Sequence, residues 1–124
     1  MYYSYKKIFA WQKAMELTDD IYILTNTFPR DEKYNLIDQM RRAVVSIPSN
    51  IAEGRARGTD KDFLRFLAIA RGSCAELETQ LLISKNLGYI TTKQAETILP
   101  KCDEVSRLIT KLISAIKEQE NIWN

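Results

Sequence analysis

The sequence predicts an all-α protein, folded as an antiparallel up-down-up-down bundle of four helices in a single domain. The 124 residues include only four glycines and three prolines, which favours long uninterrupted helices over many short strands. Apolar residues recur at three- and four-residue steps along four long segments, which is the period of an amphipathic helix. The segments are separated by short stretches of turn and capping residues, and short connections place consecutive helices as antiparallel neighbours.

The first helix is predicted over residues 10–27. Trp11, Ala14, Ile21 and Leu24 follow the helical period and indicate the face that turns towards the core. The helix is expected to end before Pro29, because a proline disfavours helical geometry at the residue that precedes it.

The second helix is predicted over residues 31–53, with Asp31 in its first turn, where a carboxylate is favourable. Pro48 falls inside the apolar pattern, and it removes one backbone donor, so we expect a kink there and not an end. Gly54 is expected to end the helix. The inner face is formed by Ile37, Met40, Val44, Ile47 and Ile51.

The third and fourth helices are predicted over residues 60–87 and 92–118, each after a threonine that can cap its first turn. Thr59 precedes Asp62 by three residues, and Thr91 precedes Gln94 in the same way, which is the spacing of a capping box. Gly88 suits the left-handed position after the third helix. The last six residues are expected to fray.

The third helix carries more apolar surface than one bundle can cover. Three strips cover most of its circumference, and a helix that is apolar nearly all round is buried nearly all round. A second copy of the protein is the simplest cover, with close packing inside one chain as the alternative. The predicted interface is formed by the small or apolar residues Leu64, Ala68, Gly72 and Ala75.

The composition argues against an enzyme. The chain has no histidine, so it lacks the commonest general base and the commonest metal ligand. Gly54 to Gly58 lacks the Gly-Lys-Ser/Thr ending of a phosphate-binding loop. Cys74 and Cys102 lie at core positions and are expected to be reduced. We therefore predict no catalytic residue, no metal site and no cofactor.

Positive charge is concentrated in one part of the chain. Residues 41–71 contain seven basic and three acidic side chains, whereas the rest of the chain contains 11 basic and 13 acidic ones. Such a cluster on two helices and their connecting turn can form an anion-binding face. The candidate nucleic-acid contacts are Arg41, Arg42, Arg55, Arg57, Lys61, Arg65 and Arg71.

The alternative is that these residues form ion pairs at helical spacing. Asp38 can pair with Arg41 or Arg42, Glu53 with Arg57, and Asp62 with Arg65, while Arg71 and Glu78 could bridge across an interface. At the amino terminus, Tyr2, Tyr3, Tyr5, Lys6 and Lys7 interleave rings and positive charges that could stack on bases, although a loosely packed terminus is the more common explanation.

No secretory signal and no apolar run long enough for a bilayer are present, which predicts a cytoplasmic protein without a membrane partner.

Ordered motifs from about Phe9 to Lys117 resemble the four-helix bundle proteins encoded in intervening sequences of 23S rRNA genes. The resemblance implies a ring-like homopentamer, and a similarity to the accessory proteins of diversity-generating retroelements, which bind nucleic acid and a reverse transcriptase. It marks Arg41, Arg42, Arg65 and Arg71 as candidate contacts, whereas Arg55 and Arg57 rest on their chemistry alone. The motifs are WQKA at 11–14, FP at 28–29, QMRRA at 39–43, SIPSNIAEG at 46–54, FLRFL at 63–67, IARGS at 69–73, ELET at 76–79 and LGYI at 87–90.

We therefore expect a non-enzymatic homo-oligomer that binds RNA or DNA through an arginine-rich face. The alternative is a scaffold that docks a protein partner, reverse-transcriptase-like or ribosome-associated, without a direct role for nucleic acid.

Overall fold

The computed structural model describes residues 4–33 and 35–123, and within these two ranges the protein is all-α, with four helices and no strand. The helices are α1 (Phe9–Thr25), α2 (Leu36–Ala56), α3 (Asp60–Asn86) and α4 (Thr92–Trp123), and single 3-10 turns cover Tyr5–Lys7 and Arg30–Glu32. The predicted class and the four helices are confirmed. None of the helices in the described ranges is both long and apolar enough to cross a membrane.

The core lies between the inner faces that the apolar period indicates. Leu17 and Ile21 of α1, and Leu67, Leu77 and Leu81 of α3, are almost completely buried. Burial of one such side chain contributes roughly 1.5–3 kcal/mol, so the buried inner faces of the four helices dominate the stability of the bundle. The deepest residues of the other two helices are Met40, Val44, Ile47, Ile51, Cys102, Val105 and Ile109.

The two cysteines lie in this core and are not joined to each other. The Cys102 thiol donates a hydrogen bond to the Cys74 carbonyl oxygen, at 3.5 Å. Burial raises the pKa of both thiols to about 12. Because the thiolate is the reactive form of cysteine, the raised pKa disfavours reaction of both thiols at neutral pH.

Helix α2 begins five residues later than predicted. Arg30–Glu32 forms a 3-10 turn after Pro29, and the Glu32 carboxylate accepts a hydrogen bond from the backbone N–H of Leu36 at 3.3 Å. Asp31 therefore lies in the turn before the helix and not in its first turn. Glu32 satisfies one of the amides that every helix start leaves open.

Gly54 does not end α2, contrary to the prediction. The helix continues to Ala56, and Gly54 is buried inside it. A Cβ atom at Gly54 would lie 2.6 Å from the Cβ of Phe66, so the glycine is required by the close approach of α2 and α3. The left-handed residue in the turn is Gly58, whose φ is +88°.

Pro48 does not end α2, as predicted, and the carbonyl group that it leaves free has a partner in another helix. The Val44 carbonyl oxygen accepts a long hydrogen bond, 3.5 Å, from the Thr18 hydroxyl of α1. Asn50 donates hydrogen bonds to the carbonyl and hydroxyl oxygens of Ser46, at 2.7 and 2.9 Å. A neighbouring helix, α1, therefore satisfies the carbonyl group that Pro48 leaves without its helical donor.

The predicted caps of α3 and α4 are present. The Thr59 hydroxyl accepts a hydrogen bond from the Asp62 amide at 3.2 Å. At α4 the box is complete, because Thr91 and Gln94 each accept from the other's backbone N–H, at 3.0 and 2.8 Å. Gly88 follows α3 with φ of +76°, as predicted.

One end of the bundle is closed by contacts between its two loops. The Tyr89 hydroxyl, in the turn between α3 and α4, donates to the Glu32 carboxylate at 3.1 Å. The Tyr89 ring also packs on Phe28, with 5.5 Å between the ring centroids. Glu32 thus caps α2 and holds the distant turn at the same time.

Candidate nucleic-acid interface

Four cations lie at the turn between α2 and α3: Arg57, Lys61 and Arg65 are exposed, and Arg55 is half-buried. The guanidinium of Arg57 lies 5.1 Å from the ring centroid of Phe66, that of Arg65 lies 4.6 Å from the same centroid, and that of Arg55 lies 5.9 Å from the ring of Phe63. We call Arg55, Arg57, Arg65, Phe63 and Phe66 the arginine–phenylalanine cluster. The cluster exists because Gly54 lets α3 approach α2, which buries both rings beneath the guanidiniums.

Two carboxylates form ion pairs with arginines of the cluster, but the arginine side chains remain exposed to solvent. Glu53 lies 3.4 Å from Arg57, and Asp62 lies 3.7 Å from Arg65, as the helical spacing predicts. The Arg57 and Arg65 side chains remain 50% and 59% exposed. Exposed pairs of this kind contribute only about 0–1 kcal/mol, so a phosphate can compete for these guanidiniums.

Lys61 lies beside the cluster, in the first turn of α3, and is exposed without an ion pair in the described part of the chain. Four of the seven predicted contacts, Arg55, Arg57, Lys61 and Arg65, therefore come together at one end of the bundle.

Arg41 lies elsewhere, and its Nε and Nη2 groups donate hydrogen bonds within the chain. Its guanidinium donates hydrogen bonds to the Thr25 hydroxyl and the Asn26 side-chain oxygen, both at 3.0 Å, and to the Tyr22 carbonyl oxygen at 3.4 Å. It also stacks on the Tyr22 ring, 4.5 Å from its centroid. A cation at these last carbonyls of α1 is favourable, so Arg41 joins α1 to α2.

Arg42 and Arg71 are exposed but distant from the cluster. Arg42 pairs with Asp38 at 3.0 Å, and Arg55 follows Arg42 by 13 positions, which correspond to about 20 Å of helix. Arg71 donates to the Thr110 hydroxyl of α4 at 3.4 Å. It follows Arg65 by six residues, or about one and two-thirds turns, so it lies on a different face of α3.

The amino-terminal residues add little to this surface. Tyr2 and Tyr3 lie outside the described residues. The Tyr5 ring packs edge-on against Trp11, with 5.4 Å between centroids, while Lys6 and Lys7 are exposed.

The predicted interface residues lie on the outer face of α3. Ala68, Gly72 and Ala75 are exposed, whereas Leu64 is half-buried against the core. A Cβ atom at Gly72 would meet nothing within 4 Å, so close packing inside this chain does not explain that glycine. Phe66, on the same helix, is buried in the arginine–phenylalanine cluster and so does not add to the exposed apolar surface of α3.

Sequence reasoning missed a groove between α1 and α4. Cavities of about 370, 390 and 280 Å³ lie along this seam. Phe9 lines the cavity at one end and Ile23 the cavity at the other, and both side chains are exposed. The signal in the sequence was these two apolar residues, which fall outside the inner stripe of α1.

The sequence model of the 23S rRNA-intervening sequence protein family matches residues 6–111. The chain belongs to this family. The matched range contains the arginine–phenylalanine cluster, the outer face of α3 and nearly all of the α1–α4 groove.

A solved structure of similar fold is a protein with unknown function from the S23 ribosomal protein family of Bacteroides thetaiotaomicron. It is 27% identical, the match covers 85% of this chain and 95% of that one, and the TM-score is 0.79. No curated protein matches the chain. Membership of the 23S rRNA-intervening sequence protein family therefore establishes the fold and leaves the molecular function open.

Proposed function

We propose that this 23S rRNA-intervening sequence protein is a non-enzymatic homo-oligomer that binds RNA or DNA through the arginine–phenylalanine cluster and Lys61. The observation that carries the proposal is the placement of three guanidiniums over two adjacent buried rings, with Arg57 and Arg65 still half-exposed.

This arrangement suits a phosphate backbone. The planar guanidinium donates parallel hydrogen bonds to two phosphate oxygens, and stacking on a ring holds its plane in place. The face of the guanidinium that points away from Phe66 remains open to an unpaired base. Binding of this kind depends on phosphate contacts, so it should have little sequence preference and a steep salt dependence.

The assembly is part of the proposal. The arrangement of the helices as an antiparallel up-down-up-down bundle is supported by their cross-contacts, since Thr18 meets Val44 whereas the later Thr25 meets the earlier Arg41. The ring-like homopentamer, and the relation to accessory proteins of diversity-generating retroelements, rest on the sequence resemblance.

The uncovered apolar face of α3 supports self-association. A cytoplasmic location accords with this function.

The second candidate is a scaffold for a protein partner, reverse-transcriptase-like or ribosome-associated. It is favoured by the ion pairs of Arg42 with Asp38 and of Arg65 with Asp62. It would gain more support if all the arginines marked by the resemblance were paired in this way. Arg41 and Arg71 instead bond to uncharged groups, which leaves the nucleic-acid proposal as the stronger one.

The test is fluorescence anisotropy with labelled structured RNA, single-stranded DNA and duplex DNA, each across a salt series. Neutralising Arg57, Lys61 and Arg65 to glutamine should lower the salt slope on duplex DNA by about 0.9 for each phosphate that the protein no longer neutralises, and weaken binding at every salt concentration.

The matched control neutralises Arg107, Lys111 and Lys117, three exposed cations of α4, and so changes the net charge equally. The control should keep most of the wild-type affinity. Equal losses in the two variants would show a non-specific charge effect and refute the assigned surface. No binding by the wild type at low salt would favour the protein scaffold.

A further inference from the structure

The groove between α1 and α4 has the regular shape and the charge pattern of a surface that receives a helix. We infer that it binds an amphipathic helix of a different protein, which carries a large apolar residue at each of two positions and a lysine or arginine midway between them. The groove is separate from the arginine–phenylalanine cluster, so this inference goes beyond the proposed binding of nucleic acid and does not depend on it.

The three cavities of the groove follow one another at a fixed step. Phe9, Glu16 and Ile23 of α1 are seven residues apart, and each lines a different cavity. On α4 the same three cavities are lined in turn by residues that are again seven apart, Leu108, Lys101 and Gln94. Seven residues span about 10.5 Å and return to nearly the same face of a helix. A third helix laid along the groove can therefore place one side chain in each cavity.

The two end cavities suit apolar side chains. Phe9 and Ile23 are 52% and 68% exposed, so each leaves apolar surface in water at one end of the groove. Each end cavity also has apolar walls, formed by Leu108 and Leu112 at the Phe9 end and by Leu24 and Ile98 at the Ile23 end. Burial of exposed apolar surface against such walls favours binding. The bound helix therefore needs a large apolar residue at each end, fourteen positions apart.

The middle cavity is acidic. Its lining includes four carboxylates and two ammonium groups, which belong to Glu16, Asp19, Asp20, Glu104, Lys13 and Lys101. Both lysines already form ion pairs with these carboxylates, at distances from 3.0 to 3.9 Å. Asp19 is exposed and has no ion pair in the described part of the chain. The cavity thus has an excess of negative charge, which a positive side chain at the middle of the bound helix would match.

The same pattern argues against a second copy of this chain in the groove. In the described helices, no lysine or arginine has a large apolar residue both seven positions before it and seven positions after it. Ile69 and Ile83 of α3 are exposed and have the required spacing, but Glu76 lies midway between them. Its carboxylate would lie at the acidic cavity, where like charges repel. The bound helix therefore belongs to another protein.

A displayed peptide library tests the pattern. The library contains helices of about 20 residues, which is long enough to span the three cavities, and it is randomised at three positions that are seven residues apart. Selection on the wild-type protein should enrich large apolar residues at the two outer positions and lysine or arginine at the middle one. No enrichment, or a middle position that becomes acidic or apolar, would overturn the inference.

Variants of the groove then locate the bound peptide. Fluorescence anisotropy with the selected helix, made as a labelled peptide, measures its affinity. Phe9→Asp and Ile23→Asp should each weaken binding by about tenfold, because each removes apolar surface that the peptide buries. Val45→Asp is the matched control, since Val45 is an exposed apolar residue of α2, outside the groove, and it should leave the affinity unchanged. All three residues are exposed, so circular dichroism should show an unchanged fold. Equal affinity of the wild type and the two groove variants would refute the assigned surface.

A charge exchange tests the middle cavity. Glu16→Lys should weaken the peptide with a central lysine by about fivefold. A peptide with glutamate at that position should show the reverse preference, and bind Glu16→Lys more tightly than it binds the wild type. Glu96→Lys changes the net charge equally, at an exposed residue of α4 that lines none of the three cavities, and should show neither effect. The same response in both variants would refute the inference.

Two further measurements separate this inference from the proposed function. In light scattering, Phe9→Asp and Ile23→Asp should keep the mass of the wild-type assembly. A lower mass in both variants would show that a second copy occupies the groove, and would overturn the inference. Both variants should also bind nucleic acid as the wild type does, because the arginine–phenylalanine cluster is unchanged. A wild type that binds the selected helix but no nucleic acid would refute the proposed function alone.

Discussion

Gly54→Ala should lower the stability of the fold by about 2 kcal/mol. The added methyl would lie 2.6 Å from the Cβ of Phe66 and 3.3 Å from Cδ1 of Phe63. Because the Phe66 Cβ is fixed to the backbone, α3 must move, and overpacking of this kind costs up to about 3 kcal/mol. Replacing a helical glycine by alanine gains roughly 1 kcal/mol in helix propensity, which leaves the net loss of about 2 kcal/mol.

Urea unfolding followed by circular dichroism measures this loss. With a slope of about 2 kcal/mol per molar, the midpoint should fall by about 1 M. Gly72→Ala is the matched control, since its Cβ would meet nothing within 4 Å of the same chain. At protein concentrations where the chain is monomeric, that control should gain stability, by up to about 1 kcal/mol. A Gly54→Ala variant as stable as the wild type would refute the role assigned to the close contact.

Three further outcomes are expected. Gly72→Leu should dissociate the oligomer and keep the fold, because the larger side chain cannot fit a close helix contact; unchanged mass in light scattering would contradict this. Arg41→Ala should cost about 2 kcal/mol in thermal or urea unfolding, because charged hydrogen bonds to Thr25 and Asn26 are removed, whereas Arg42→Ala should change stability by less than about 0.5 kcal/mol. The hydrogen bond to Glu32 raises the pKa of the Tyr89 hydroxyl. The stability that this hydrogen bond contributes is therefore fully present below the ordinary tyrosine pKa and is lost as the pH rises through the raised pKa of Tyr89. When unfolding is measured across a series of alkaline pH values, the wild type should lose this stability, whereas Tyr89→Phe should not.

The apolar period was enough to predict the four helices and their inner faces. Local rules also predicted the caps at Thr59 and Thr91 and the ion pair between Glu53 and Arg57, since each depends on residues three or four positions apart.

The remaining features depend on contacts between residues distant in sequence. Gly54 has the same local pattern whether it ends a helix or permits a close crossing, and only Phe66 of α3 decides between them. Arg41 is drawn away from the basic surface by Thr25, which lies 16 positions earlier. The α1–α4 groove was missed for the same reason, because periodicity identifies the face that is buried and not how closely its neighbours approach.

Because Tyr89 bonds to Glu32, the two ends of the bundle differ in how easily they open by local unfolding. At the Tyr89 end, both loops are bonded to each other, so α1 and α2 cannot separate from α3 and α4 without breaking the same hydrogen bond and ring contact. Amide hydrogens there should exchange mainly through large cooperative openings. The opposite end carries the turn through Gly58, and smaller openings there would let the guanidiniums of the arginine–phenylalanine cluster adjust to a ligand while the core of the bundle stays closed.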